Sequence, residues 1–123
     1  MDNQHASIVK KSYDEPDERR TPPNGTVDVV HLGSGSSARL TLQPGWRWSE
    51  SVKPIAGTEL CELRHVGLVH QGQMTVTHGD QTMDLGPGAV YVIEPGHDAW
   101  VKGDEPFVGY EFESRAAETF AKE

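Results

Sequence analysis

Cys61 is the only cysteine in this 123-residue chain. No internal disulfide can therefore staple the fold, and a lone thiol is most easily kept reduced in a cytosol, so a cytoplasmic protein is expected. No stretch approaches the roughly 18 consecutive apolar residues of a membrane span, and no basic segment precedes an apolar one at the N-terminus; neither membrane insertion nor secretion is predicted. Basic residues are also scarce. Eleven Lys and Arg stand against 19 Asp and Glu, giving a net charge of −8 and a pI near 5.1, and a surface of that sign does not track phosphates, which excludes nucleic acid as a partner. A phosphate-cradling loop is missing too, because Gly33-Ser34-Gly35 does not open onto a helical pattern. No Ser, His and acid set stands in a context that suggests triad hydrolysis.

What the chain does have is turn chemistry. Thirteen glycines and eight prolines punctuate short alternating runs, the pattern of an all-β sandwich or barrel in one domain. The spacing predicts strands over 27–32, 37–43, 59–70, 73–78, 81–85, 89–93, 97–102 and 107–113, with a two-residue hairpin turn at Gly79-Asp80. Residues 1–25, rich in charge and proline with little apolar periodicity, read as an arm outside the core, either disordered or laid along a sheet edge or a partner subunit through the weak anchors Ile8, Val9 and Tyr13. Residues 26–113 form the barrel, and 114–123, opened by Ser114 as an N-cap before strong helix formers, read as a short terminal helix.

The most informative stretch runs from Cys61 to Gly72. It alternates, placing Cys61, Leu63, His65, Gly67 and Val69 on one face and Glu62, Arg64, Val66, Leu68 and His70 on the other. A thiol and an imidazole thus share a face, about 13 Å apart along an extended strand of ~3.3 Å rise per residue.

Two segments resemble the motifs of the cupin family. The first cupin motif runs glycine, five residues, His-x-His, a spacer, Glu, six residues, glycine. Gly45 to Gly72 is similar to it, with Ser51 and Lys53 in the places of the histidines and His65 in the place of the glutamate. Gly88, Glu94, Gly96 and Ala99 follow the second motif, with His97 two places before its usual ligand. More narrowly, Pro44-Gly45-Trp46-Arg47-Trp48-Ser49-Glu50 and Pro95-Gly96-His97-Asp98-Ala99-Trp100 resemble a group of small single-domain cupins, and the likeness extends into Asp14–Pro23. Members of that group carry His where this chain has Ser51 and share the cysteine and histidines matching Cys61, His65 and His97.

The resemblance implies a double-sheet jelly-roll barrel with Cys61, His65 and His97 near its mouth. There they form a three-ligand set for a divalent transition metal (zinc, iron, nickel or manganese) with one position open. The alternative is a metal-free barrel, in which Cys61 is a small core residue and the histidines hydrogen-bond each other or the backbone. Candidate small-molecule contacts are Ser51, Trp48, Tyr91, Tyr110 and Phe112. The expected inner lining adds Leu63, Met74, Val76, Ile93 and Val108, from the alternation that His65 defines. His31, His70 and His78 read as ordinary packing or surface residues, and Asp98 as a turn-closing acid. Three functions follow: a small-molecule-binding or sensing protein, a metal-dependent oxygenase or isomerase acting on a small polar substrate, and a structural dimeric module. A homodimer is expected, through edge strands and a spare outer aromatic, Trp100.

Overall fold

The alternating runs form strands because each can bury one face against a second sheet while its backbone is paired within its own. A computed structural model describes residues 7–33 and 35–112 of the chain. Among them lie β1 (Glu18–Arg20), β2 (Gly25–His31), β3 (Ser36–Leu42), α1 (Trp48–Ser51), α2 (Lys53–Ala56), β4 (His65–Gln71), β5 (Gln73–His78), β6 (Gln81–Leu85), β7 (Val90–Ile93), β8 (Asp98–Lys102) and β9 (Phe107–Phe112). They make two antiparallel sheets, one ordered β1-β2-β3-β9-β4-β7 and the other β6-β5-β8, which is the double-sheet jelly roll expected. No helix among the described residues is long and apolar enough to cross a membrane. The terminal helix expected over 114–123 lies outside the described residues.

Between the sheets Val27, Val29, Leu40 and Leu42 of the larger meet Met74, Val76, Leu85, Ala99 and Val101 of the smaller, with Trp46, Trp48, Val52, Val69 and Phe107 completing one core. Each Val, Leu, Met or Phe side chain among them contributes about 1.5–3 kcal/mol by leaving water. The β5–β6 turn is the tight hairpin expected: His78 pairs with Gln81, and Gly79 alone of the two turn residues takes a positive φ, of 58°, as a turn with Gly in its first central place does.

Three expectations are corrected. First, the arm takes the sheet-edge alternative, and its end is buried although no contribution to the core is expected of it. β1 pairs residue for residue with β2, from Glu18↔Val29 to Arg20↔Val27, and Arg20 is buried. Asp17 reinforces this edge, its backbone N–H donating to the Val29 carbonyl while its carboxylate accepts from the His31 N–H and from Lys11. Charge and proline hid a strand whose partners lie across the sheet rather than along the chain.

Second, the long strand expected over 59–70 begins only at His65. The residues before it are loop, tied down where Cys61 bridges His97, and Ser51 and Lys53 stand on the short helices α1 and α2, for which no element is expected. Pro54 in the first turn of α2 and Gly57, with φ 76° just past its end, suit a short helix with a sharp stop.

Third, the face of β9 is inverted. Phe107, Gly109 and Glu111 point inward, while Tyr110 is half-buried on the outer side and Phe112 is 45% exposed. The outer set Val108, Tyr110, Phe112 is the more apolar of the two, so alternation alone chose it. The inner set holds a glycine and a glutamate that only their neighbours explain.

Candidate metal centre

Cys61, His65 and His97 come from three different places in the chain. Cys61 sits in the loop after α2, where its N–H donates to the His97 carbonyl at 2.8 Å and its own carbonyl accepts from Gly96 N–H at 2.7 Å. These paired bonds fix the thiol beside residue 97. His65 opens β4, and His97 precedes β8 directly after Gly96, whose φ of 96° makes the turn. From Asp98, at the head of β8, the carboxylate accepts the backbone N–H of Ser49 at 3.2 Å, and so holds α1 against this end of the barrel.

The candidate ligand atoms all lie within 4.8 Å of one another. Cys61 Sγ is 3.5 Å from His65 Nε2, and the two imidazoles stand edge to face with centroids 5.1 Å apart. All three side chains are buried, at 2%, 5% and 3% exposure.

Each ring is held by its other nitrogen. His65 Nδ1 lies 2.9 Å and 3.1 Å from the two carboxylate oxygens of Glu111, and His97 Nδ1 lies 2.7 Å from the Glu94 carbonyl. A carboxylate and a carbonyl only accept here, so both Nδ1 atoms carry the proton and both Nε2 atoms are turned to the thiol side. Metal-ligating histidines are oriented in the same way, by a carboxylate or a carbonyl behind the ring. Glu111 is itself fixed, because the Tyr91 hydroxyl donates to its Oε2 at 2.8 Å. Gly67 makes room for this arrangement, since a Cβ there would meet the Tyr110 carbonyl oxygen and the Glu111 Cγ.

The electrostatics follow. Burial pushes the Cys61 thiol upward, but hydrogen bonds from His65 and His97 outweigh it and bring the pKa down to about 6. Burial lowers His65, yet the charge of Glu111 and the bonds to Cys61 and Glu111 outweigh that and raise it to about 10. The Tyr91 phenol is raised first by burial and then by the Glu111 charge, so it remains a donor. Without metal, the centre is a thiolate beside an imidazolium backed by a carboxylate.

The donor set suits a divalent borderline metal. Ligands on a tetrahedral zinc lie roughly 3.5 Å apart, given Zn–S near 2.3 Å and Zn–N near 2.0–2.1 Å, and that is the Sγ–Nε2 spacing found. The thiolate also disfavours hard, oxygen-seeking ions.

The remaining candidates divide. Tyr91 is buried and reaches the centre through Glu111. Trp48 and Ser51 are buried on α1. Tyr110 and Phe112 face outward and do not line the interior. His31 bonds to Ser36, His70 packs on Tyr110, and His78 bonds to the Pro95 carbonyl. Trp100 is not spare, because the Arg47 guanidinium lies over it 4.4 Å from the ring centroid. Glu111 escaped the sequence reading; its signal was a lone acid in the otherwise apolar Phe107–Phe112 run.

No family model and no curated protein matches this chain. Solved structures do. The oxalate decarboxylase of Lactobacillus farciminis in complex with formate superposes with a TM-score of 0.56 at 21% identity, over 78% of this chain and 30% of that one. The Bacillus subtilis oxalate decarboxylase at pH 4.6 gives 0.56 at 23% identity, over 79% and 27%. A structural-genomics protein of unknown function from Rhizobium leguminosarum bv. viciae 3841 gives 0.60 at 18%, over 89% and 97%. The chain therefore spans less than a third of the length of those two oxalate decarboxylases and nearly the whole of the Rhizobium protein. At these identities the likeness is one of fold: the chain has the cupin fold.

Proposed function

We propose that this cupin-fold chain binds one divalent transition metal of the zinc class through Cys61, His65 and His97, and presents it to a small molecule at a remaining coordination position. The observation that carries this reading is that three buried donors converge while both imidazoles are pinned from behind by Glu111 and by the Glu94 carbonyl. A core cysteine and two packing histidines need no such convergence.

Three protein ligands leave a tetrahedral metal one position for water or substrate. A metal there would supply Lewis acidity, polarising a bound carbonyl or acidifying a bound water. The chain's own residues do the rest. Glu111 keeps the His65 proton on Nδ1, the Glu94 carbonyl does the same for His97, and burial withholds the thiolate from bulk reagents. That last feature favours ligation over a role for Cys61 as an external nucleophile, which would need access. Metal-dependent binding or sensing of a small molecule is the primary reading, and turnover would be a property added to the same centre.

Metal analysis of freshly purified protein, with cobalt substitution, tests this. One equivalent of metal per chain and a thiolate-to-cobalt charge-transfer band that disappears in Cys61→Ser are expected. A protein that takes up no stoichiometric zinc or cobalt overturns the reading.

A further inference from the structure

The two sheets do not close on each other everywhere. Between the outer edge of β6 in the smaller sheet and that of β7 in the larger lies a cavity of about 420 Å³, within the range of roughly 300–1,000 Å³ typical of small-molecule pockets. Its inner wall is apolar, with Val76 and Leu85 facing Tyr91. Its mouth leaves Met83 50% and Val92 53% exposed, large apolar surfaces left in water beside a ready recess.

Charge narrows the occupant. The polar side chains His78, Gln81 and Glu94 lie at the exposed rim of the cavity, where Glu94 is paired with Arg64 at 3.1 Å and His78 Nε2 is bonded to the Pro95 carbonyl at 2.9 Å, so an ionised ligand would shed its water with no unpaired counter-charge on the inner wall to meet it. The polar atom of the inner wall is already engaged, since the Tyr91 hydroxyl donates to Glu111. Any polar group on the occupant must therefore sit at the rim. Tyr91 also gives the cavity a line to the centre described above: its ring forms part of the wall, its hydroxyl holds Glu111, and Glu111 holds His65.

We infer that this cavity is a binding site for an uncharged, mainly apolar small molecule, and that Tyr91 links its occupancy to the Cys61, His65 and His97 centre. The link rests on the metal reading given above; the binding does not. An occupant packed on the Tyr91 ring restrains the hydroxyl that orients Glu111, and so favours the His65 geometry a metal needs. Linkage makes the effect reciprocal.

Two fluorophores that differ by one charge test the proposal: N-phenyl-1-naphthylamine and its sulfonated analogue, 8-anilinonaphthalene-1-sulfonate. On the full chain, the uncharged probe should saturate at one per chain with enhanced, blue-shifted emission. The sulfonate should bind at least about tenfold more weakly. Met83→Glu alters an exposed side chain at the mouth and should weaken the uncharged probe by about tenfold without unfolding the protein. Zinc should tighten the probe by about threefold or more, the probe should tighten zinc by the same factor, and both ratios should fall to one in Tyr91→Phe. Non-saturable binding, equal affinity for the two probes, or indifference to Met83→Glu would overturn the site. So would probe binding confined to monomers and lost as chains associate, since the occupant would then be a second copy. Saturable probe binding with no mutual effect of zinc would overturn the link alone. Failure to bind zinc, with probe binding intact, would remove the metal reading and the link but leave the pocket standing.

Discussion

Replacing Glu111 by Gln keeps the shape of the side chain and removes its charge, which makes it the sharpest probe of the centre. Glu111 accepts from both His65 Nδ1 and the Tyr91 hydroxyl, whereas an amide offers a single acceptor oxygen and adds an NH₂ group that must find an acceptor of its own. Oε2 already lies within reach of both donors, so an amide oxygen in its place can keep both bonds, but each loses the charge that strengthens it and His65 loses its second acceptor, Oε1. A hydrogen bond to a charged group is worth about 1.5–3 kcal/mol, which at ~1.4 kcal/mol per decade is roughly 10- to 100-fold in affinity. Loss of a partner behind a ligating histidine costs a similar factor in metal proteins generally. Zinc affinity of Glu111→Gln, measured by competition with a calibrated chelator, should therefore fall 10- to 100-fold, with circular dichroism confirming an intact fold. Glu94→Gln is the control: Glu94 serves His97 through its backbone carbonyl, so the substitution should leave zinc affinity unchanged. A folded Glu111→Gln that binds zinc within about twofold of the native chain would refute the reasoning.

Four further outcomes are expected. Since His65 is raised to about 10 and Cys61 lowered to about 6, zinc should displace about one proton per metal between those values, read from the buffer dependence of the calorimetric enthalpy, and more below them. For the metal-free protein, the His65 contribution to stability is complete below pH 6.5 and lost as pH rises through about 10, while that of Cys61 is complete above pH 9.0 and lost as pH falls through about 6. The two offset in between, so denaturation midpoints should be level from near pH 6.5 to 9.0 and fall on either side. Removing residues 1–20 strips β1 from β2, at a cost of about 2–4 kcal/mol or roughly 10 °C or more in Tm by scanning calorimetry; an unchanged Tm would mean the edge strand adds nothing. Gly67→Ala forces a methyl against the Tyr110 carbonyl and Glu111 and should cost about 1–3 kcal/mol in urea denaturation together with zinc affinity.

Much of this was legible in the linear chain. Turn residues delimited β5, β6 and β7 to within a residue of the ranges found, because a two-residue hairpin and a glycine-proline break are local chemistry. Cys61, His65 and His97 stood out through alternation together with the cupin resemblance. Their meeting did not, because an extended strand would hold the first two about 13 Å apart along the backbone, and it is the loop before β4, tied to residue 97, that brings the atoms to 3.5 Å. β1 was hidden for a related reason: its charges pair across strands, with Arg19 and Arg39 both on Asp28, so its cause lies far along the chain. Glu111 shows the limit most clearly. Alternation specifies that one face of β9 is buried, and apolar content pointed to Val108, Tyr110 and Phe112. The inner face was set instead by a carboxylate that His65 and Tyr91 satisfy only once three strands are in register, since a buried charge is tolerated only where its partners already stand.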